Sequence, residues 1–224
     1  MTAVFVTATG TDVGKTYVTA KLVAELRAAR RSVLALKPVA SGFDSKNVAA
    51  TDTGVLLEAL GLAATPANLD SVSPWRFAAP LSPDMAAARE RRGIPFDELL
   101  EFCRTPRPSD VTLIEGIGGV MVPLDDTHTV LDWIVELGAP VLLVAGSYLG
   151  TLSHTLTAIA ALRERDVEPA AIIVSESEEQ PVPLEETAQT IRRFVVPVAV
   201  AALHRPPGAT KVLPLLAPLF QAAE

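Results

Sequence analysis

The sequence predicts an α/β fold, a mainly parallel sheet flanked by helices on both faces. Three patterns carry this expectation. Runs near-continuous in Val, Ile, Leu and Ala recur at Ala3–Thr7, Ser32–Leu36, Val111–Ile114, Val141–Ala145, Ala170–Val174 and Val195–Val200, as strands require when both of their faces are covered. Helix-length stretches lie between them, and such alternation winds a parallel sheet through right-handed crossovers. The first run leads through the small polar loop Thr7-Ala8-Thr9-Gly10-Thr11-Asp12-Val13 into Gly14-Lys15-Thr16, a strand, loop and helix in the order that builds a phosphate cradle.

The predicted helices are Lys15–Arg30, Asp52–Leu60, Ser82–Arg91, Pro95–Arg104, Val130–Glu136, Ser153–Arg165 and Leu184–Phe194. Pro83 directly after Ser82, and Pro95 followed by Glu98, mark helix starts, where a missing N–H costs nothing. Leu152, Leu156, Ile159 and Leu162 form one apolar stripe at steps of four and three. The segment Glu176–Pro183 reads as an exposed acidic loop, and the Pro-rich tail from Pro206 to Pro218 as surface-draped chain. With no internal repeat and no linker-like stretch, the expectation is a single domain over residues 1–224.

Composition narrows the function classes. Hydrophobic residues make up 49% and charged residues 20%, a globular balance, while a formal net charge of −7 opposes a nucleic acid partner. Cys103 is the only cysteine, so no intrachain disulfide forms and no thiolate metal site is built, which fits a reducing cytoplasm. No uninterrupted apolar stretch reaches membrane-spanning length. His128, His154 and His204 lack metal-ligand spacing, so structural or surface roles are expected, and Trp75 and Trp133 read as core or interface anchors.

The chemistry concentrates at predicted strand ends. In the phosphate loop, backbone N–H groups turn inward, the helix N-terminus is positive, the Lys15 ammonium reaches outer phosphates and the Thr16 hydroxyl ligates magnesium. The implied ligand is a nucleoside triphosphate. The common loop spacing places a Gly where Thr9 stands, and a six-residue spacing places one at Ala8. Glu115 ends the buried run Val111-Thr112-Leu113-Ile114 and enters the turn Gly116-Ile117-Gly118-Gly119. Strand C-termini line the ligand crevice of an open parallel sheet, so Glu115 faces the Lys15 loop, and with Thr16 it makes a magnesium pair. Asp52 is either a further metal carboxylate or a helix cap. Lys37, held extended by Pro38, reads as a second anion clamp beside the Ala40-Ser41-Gly42 turn.

These residues resemble the ATP-dependent dethiobiotin synthetases. The resemblance rests on Gly14-Lys15-Thr16, Lys37-Pro38-Val39-Ala40-Ser41-Gly42, Glu115-Gly116-Ile117-Gly118-Gly119 with Pro123-Leu124, and Gly150-Thr151-Leu152-Ser153-His154. Pro74-Trp75-Arg76-Phe77 and Ala79-Pro80-Leu81-Ser82-Pro83 look like the family's substrate-side loop. The resemblance spans about residues 1–175, and the Lys-Pro-Val-Ala-Ser-Gly element is its most specific part. It implies a P-loop fold and a reaction joining carbon dioxide and 7,8-diaminononanoate into a cyclic urea in biotin synthesis. One amine captures carbon dioxide as a carbamate, the carbamate takes the γ-phosphoryl group of ATP, and the second amine closes the ring.

By position, the resemblance gives Thr11, Asp12, Val13, Gly14, Lys15, Thr16 and Tyr17 to the nucleotide, together with Asp52, Glu115, Gly116, Ile117, Gly118, Ser175 and Glu176. It gives Thr16, Asp52 and Glu115 to Mg²⁺, and Lys37 and Lys15 to catalysis. Lys37, Ser41, Gly150, Thr151 and Ser153 go to the substrate, the last three across a homodimer interface. Three departures stand out: Ala8 replaces the first loop glycine, Ser153 replaces an Asn, and Ser175-Glu176 replaces the Asn-Asp dipeptide with which relatives often read adenine. An alternative is a nucleotide-dependent switch resembling the partition and septum-placement ATPases. Those carry a Lys near the start of the loop, where Ala8, Thr9 and Gly10 stand, and often a basic amphipathic C-terminal helix, whereas Lys211–Pro218 has two prolines and one charge.

Overall fold

The computed structural model describes residues 2–205 and 211–220. The chain runs β1 (Thr2–Ala8), α1 (Lys15–Ala28), β2 (Val33–Leu36), β3 (Val39–Ser41), α2 (Asp52–Leu60), α3 (Pro66–Val72), β4 (Trp75–Phe77), α4 (Pro83–Arg89) and α5 (Phe96–Arg104). It continues through β5 (Val111–Glu115), α6 (Val130–Leu137), β6 (Val141–Ala145), α7 (Thr151–Glu164), β7 (Ala171–Ser175), α8 (Leu184–Phe194), β8 (Ala199–Leu203) and α9 (Leu213–Phe220). Six strands form one sheet in the order β2-β5-β1-β6-β7-β8, every neighbouring pair parallel. The order departs from β1 in both directions, so the crevice at the C-terminal ends of β1, β5 and β6 is the switch point where such sheets take ligands.

Strand pleating divides the core between the two faces of this sheet. Val4 and Val6 face one side with Leu113, Leu142, Val144 and Ile173, and there α1 packs Val18, Leu22 and Leu26 against them. Phe5 faces the other side with Ile114, Leu143 and Ile172, beneath Trp133 and Ile134 of α6, Ile159 and Leu162 of α7, and Ala188 and Ile191 of α8. The Trp133 ring is fully buried and meets Phe5 edge-on with centroids 4.8 Å apart, the arrangement that aromatic quadrupoles favour. Trp75 is half-buried and edge-on to Phe102.

Five elements differ from the sequence expectations. The final strand begins at Ala199 rather than Val195, because Val195 caps α8 and Pro197 has no N–H for a ladder. Val39–Ser41 and Trp75–Phe77 pair as a small second parallel sheet, with Val39 opposite Trp75. Pro66–Val72 forms a helix capped by the Thr65 hydroxyl, which accepts from the Asn68 N–H. In the tail, residues 206–210 lie outside the described residues, and Leu213–Phe220 is a helix with Val212 and Leu216 buried against the α1 face rather than surface-draped. The Glu25 carboxylate fixes its start by accepting from the Val212 and Leu213 N–H groups.

A single turn at Val48–Ala50 leads into α2, whose cap is Thr51, accepting from the Gly54 N–H. A Cβ at Gly54 would overlap the Val48 carbonyl oxygen and lie 2.9 Å from Ala49 Cα. Backbone cannot yield as a side chain does, so Gly54→Ala is expected to lower stability by about 1–3 kcal/mol, the usual range for overpacking. Calorimetry showing an unchanged melting temperature would contradict this packing.

Candidate active site

The phosphate loop is pinned at both ends. Ala8 is the last residue of β1, fully buried and in extended backbone, so the Cβ that replaces the glycine sits in the core without strain. Val13 is buried in the same cluster and anchors the loop from inside. Asp12 takes φ 58° and Gly14 φ 99°, and Gly14 caps α1 in the left-handed region that favours glycine. A Cβ at Gly14 would also lie 2.6 Å from Ser175 Oγ.

Two buried ammonium groups converge on this loop. Lys15 Nζ donates to the Gly10 carbonyl at 2.9 Å and to the Gly118 carbonyl at 2.8 Å. Burial, reinforced by the nearby Lys37 charge, lowers its pKa to about 8. Lys37 Nζ donates to Glu115 Oε1 at 2.8 Å and to the Gly116 carbonyl at 2.9 Å, and pairs with Asp52 Oδ2 at 3.2 Å. Burial works against that charge, but the Glu115 and Asp52 carboxylates overcome it and raise the pKa. The position of Lys37 follows from its neighbours: its N–H donates to the Val72 carbonyl, and the Pro38 carbonyl accepts from Trp75, so the β2–β3 segment is tied down on both sides.

Glu115 ends β5 with no exposed surface and also accepts the Thr16 hydroxyl at 2.7 Å. Its other oxygen, Oε2, is buried without a partner among the described residues, which is costly unless a ligand satisfies it. Asp52 is the first residue of α2, not its cap, so its half-exposed carboxylate is free to face the cluster. Burial opposes its ionisation, yet the Lys37 ammonium and the Thr16 hydroxyl hold its carboxyl below the usual range. Thr16, Asp52 and Glu115 therefore offer hard oxygens around one spot, and an orphaned carboxylate oxygen among them fits a magnesium ion. Among the described residues no group of three or more His, Cys, Asp or Glu side chains could hold a metal; magnesium usually takes only one or two carboxylates, with phosphate and water completing its shell.

A cavity of about 1110 Å³ runs over this cluster. Thr11 through Tyr17, Lys37, Ser41, Asp52, Ile117 and Gly118 line it, so most of the expected nucleotide and substrate residues come together. Gly116 lies just behind, where a Cβ would press on Phe5 at 3.0 Å. Ser175 is buried under Gly14, and Glu176 accepts from the Arg205 N–H at 3.0 Å; neither lines the cavity. Gly150, Thr151 and Ser153 form the start of α7 outside the cavity lining, with Thr151 buried and donating to the Gly146 carbonyl at 2.7 Å and Ser153 exposed.

Sequence reasoning missed the far wall, made by Tyr148, Ser177, Glu178, Glu179 and Arg205. Each follows the C-terminal end of β6, β7 or β8, and the strand-end rule applied to every strand would have found them. The histidines keep structural roles: His128 stacks on Phe96 with centroids 4.0 Å apart, His154 hydrogen-bonds the Tyr148 hydroxyl, and His204 bridges Glu185 and Glu176.

A family profile described as an AAA domain matches residues 2–208. The ATP-dependent dethiobiotin synthetase BioD of Acidiphilium cryptum (strain JF-5) is 48% identical over 198 residues, which are 87% of this chain and 89% of that protein. The protein of the same name from Phenylobacterium zucineum (strain HLK1) is 45% identical over 209 residues, 92% of this chain and 89% of its own length. This chain belongs to the ATP-dependent dethiobiotin synthetase family. Among solved structures, the septum site-determining protein MinD of Pyrococcus horikoshii OT3, complexed with Mg-ADP, superposes with a TM-score of 0.53 at 17% identity, covering 92% of this chain and 82% of that one. The MinC:MinD complex of Aquifex aeolicus gives 0.54 at 12% identity, covering 98% and 86%. At such identities the likeness shows a shared P-loop fold alone, and the switch alternative is not favoured over the synthetase family.

Only a charged Lys15 neutralises a phosphate, and its pKa is lowered to about 8. Affinity for a Mg-nucleotide is therefore expected to fall as pH rises above 8, by up to about tenfold per pH unit for one linked proton. Titration calorimetry from pH 7 to 9.5 checks this, and a flat dissociation constant would contradict it.

Proposed function

We propose that this chain uses ATP to carboxylate 7,8-diaminononanoate and close it into the cyclic urea of dethiobiotin. The observation that carries the proposal is the convergence of the Lys15 and Lys37 ammonium groups on one cavity with Thr16 and Asp52, backed by the fully buried Glu115 carboxylate behind the lining. The reaction must hold several anionic centres close together, and fixed positive groups in a site shielded from water serve this best.

In this proposal the Thr11–Gly14 backbone, Lys15, Thr16 and Tyr17 hold the triphosphate, with Ile117 and Gly118 along its side. Thr16, Asp52 and Glu115 hold Mg²⁺, which supplies Lewis-acid stabilisation of phosphate oxygens when bound. One substrate amine attacks carbon dioxide, losing a proton, and the carbamate so formed lies against Lys37. A carbamate oxygen attacks the γ-phosphorus and expels ADP. The second amine, positioned near Ser41, then attacks the carbonyl carbon and releases phosphate. Lys37 keeps its proton throughout, because the carboxylates around it raise its pKa, so it acts as a charge stabiliser and not as a base.

The substrate's tail carboxylate is assigned to Gly150, Thr151 and Ser153 of a second copy in a homodimer. Support comes from the placement of this turn outside its own cavity lining and from the exposed Leu149 and Leu152 beside it, 83% and 39% accessible. We place the enzyme in the cytoplasm as one domain over residues 1–224.

Purified protein incubated with diamine, bicarbonate, Mg²⁺ and ATP is expected to yield the urea, read by mass, and its absence would overturn the proposal. Lys37→Gln keeps a donor toward Glu115 but removes the charge. It is expected to cut ring formation by about a hundredfold or more, in line with loss of a positioned transition-state donor, while nucleotide binding stays within a few-fold. Ring formation at the parent rate would remove Lys37 from the mechanism.

A further inference from the structure

The Asp52 carboxylate does not account for its own placement. Its side chain is half-exposed, and an ion pair open to water, here 3.2 Å from Lys37 Nζ, is too weak to fix a helix. Where it points is set by the rotation of the first turn of α2, because neighbouring residues stand about 100° apart round a helix and turn together.

Two hydroxyls flank Asp52 in the chain. Thr51 Oγ1 reaches three residues back, donating to the Val48 carbonyl at 2.7 Å, and it accepts the Gly54 N–H, so it closes the turn on itself. Thr53 reaches outward instead. It has no exposed surface, and its hydroxyl shares a hydrogen bond at 2.9 Å with the Ser73 hydroxyl, which is equally buried. A helical Thr ordinarily turns its hydroxyl to water or to a carbonyl of its own helix. A buried hydroxyl pair between two segments is a fixed joint, costly to break from one side.

Ser73 is where this joint meets the Lys37 side of the site. The Val72 carbonyl, one residue earlier, accepts the Lys37 N–H at 2.9 Å, and the Trp75 N–H donates to the Pro38 carbonyl at 3.0 Å. Arg76 holds the same corner, donating to the Ser73 carbonyl and pairing with Asp70 of α3 at 2.7 Å. Residues 72–75 thus grip the Lys37 segment by main chain and α2 by the Ser73 hydroxyl. Gly54, packed against the Val48 carbonyl, leaves α2 no room to roll the other way. The spacing between Asp52 and Lys37 is therefore gauged by groups that touch neither side chain.

Resting on the assignment of Asp52 to Mg²⁺ above, we propose that Thr53 and Ser73 are positioning residues, whose shared hydrogen bond holds the Asp52 carboxylate in register with Thr16 and Glu115 for the metal of the nucleotide complex. The test is calorimetric binding of a non-hydrolysable ATP analogue to the full chain with and without Mg²⁺, the ratio of affinities being the gain from the metal. Thr53→Val keeps the side-chain shape without the hydroxyl, and Ser73→Ala removes its partner. Each is expected to cut the gain by about tenfold, as for loss of a group that orients a metal ligand, while metal-free affinity stays at the parent value. Thr53→Ser keeps the hydroxyl and loses a buried methyl, so it should melt at a lower temperature and retain the gain. In an Asp52→Asn background, Thr53→Val should reduce the gain no further. A gain retained in Thr53→Val and Ser73→Ala, a gain lost in Thr53→Ser in step with stability, or a further loss in the Asp52→Asn background would each show a merely structural role and overturn the proposal. A parent with no gain from Mg²⁺ would overturn the metal assignment and this proposal together. If the parent shows the gain and the variants lose it as stated, but no ring forms with diamine, bicarbonate and ATP, the reaction reading fails and the positioning role stands.

Discussion

The fold is organised around a buried charge that cannot stand alone. Lys37 and Glu115 meet at 2.8 Å with almost no exposed surface on either side chain, and removing one partner of such a pair costs about 3–5 kcal/mol because the other is left uncompensated. A replacement by well-packed apolar residues would serve stability as well or better. The pair therefore makes sense as a site feature, a positive charge stored where an anion is to be received. Lys15 and Thr16 from the phosphate loop and Asp52 from the start of α2 complete it, so the phosphate loop, the β2 end, the α2 start and the β5 end are all bound to one electrostatic centre.

The surroundings hold that centre in register. Parallel pairing of β1 with both β5 and β6 brings Ala8, Glu115 and Ala145 to one edge, and the glycines after β5 let backbone approach closely, with Gly119 packed against Thr9 and Gly10. The small second sheet has a similar purpose on the outer side. By pairing Val39–Ser41 with Trp75–Phe77 it folds the segment after Lys37 back over the cavity, and the Pro80–Pro83 turn that follows forms part of the lining. The two lysines then occupy different electrostatic states in one cavity: Lys15, whose ammonium donates to the Gly10 and Gly118 carbonyls, has its pKa lowered, while Lys37, flanked by carboxylates, has its pKa raised.

Much of this was legible in the sequence because it is local. The strands of the main sheet read as doubly buried runs; Lys37 and Glu115 stand at the ends of two of them, and Lys15 opens the helix that follows the loop after a third. The order of strands was not local, and with it went the far wall: Tyr148, Ser177 and Arg205 are brought together only by the β6-β7-β8 pairing. Strand pairs as short as Val39–Ser41 with Trp75–Phe77 carry no periodic signal, since three residues on each side are too few. The tail helix was masked by its prolines, although Pro214 falls in the first turn, where it is tolerated. Ser175 and Glu176 could not be placed by position alone, since the Ser175 hydroxyl is buried beneath Gly14 without a partner among the described residues and Glu176 accepts from the Arg205 N–H.

The most direct measurement of the central claim is a heteronuclear NMR titration of the lysine side-chain ammonium groups, with Lys15 and Lys37 assigned by substitution to Arg. One resonance should titrate near pH 8 and belong to Lys15, and the other should stay protonated above the usual 10.5 of a free lysine and belong to Lys37. If both groups titrate together at the ordinary value, the two ammoniums do not share a buried, carboxylate-biased centre and the account is contradicted.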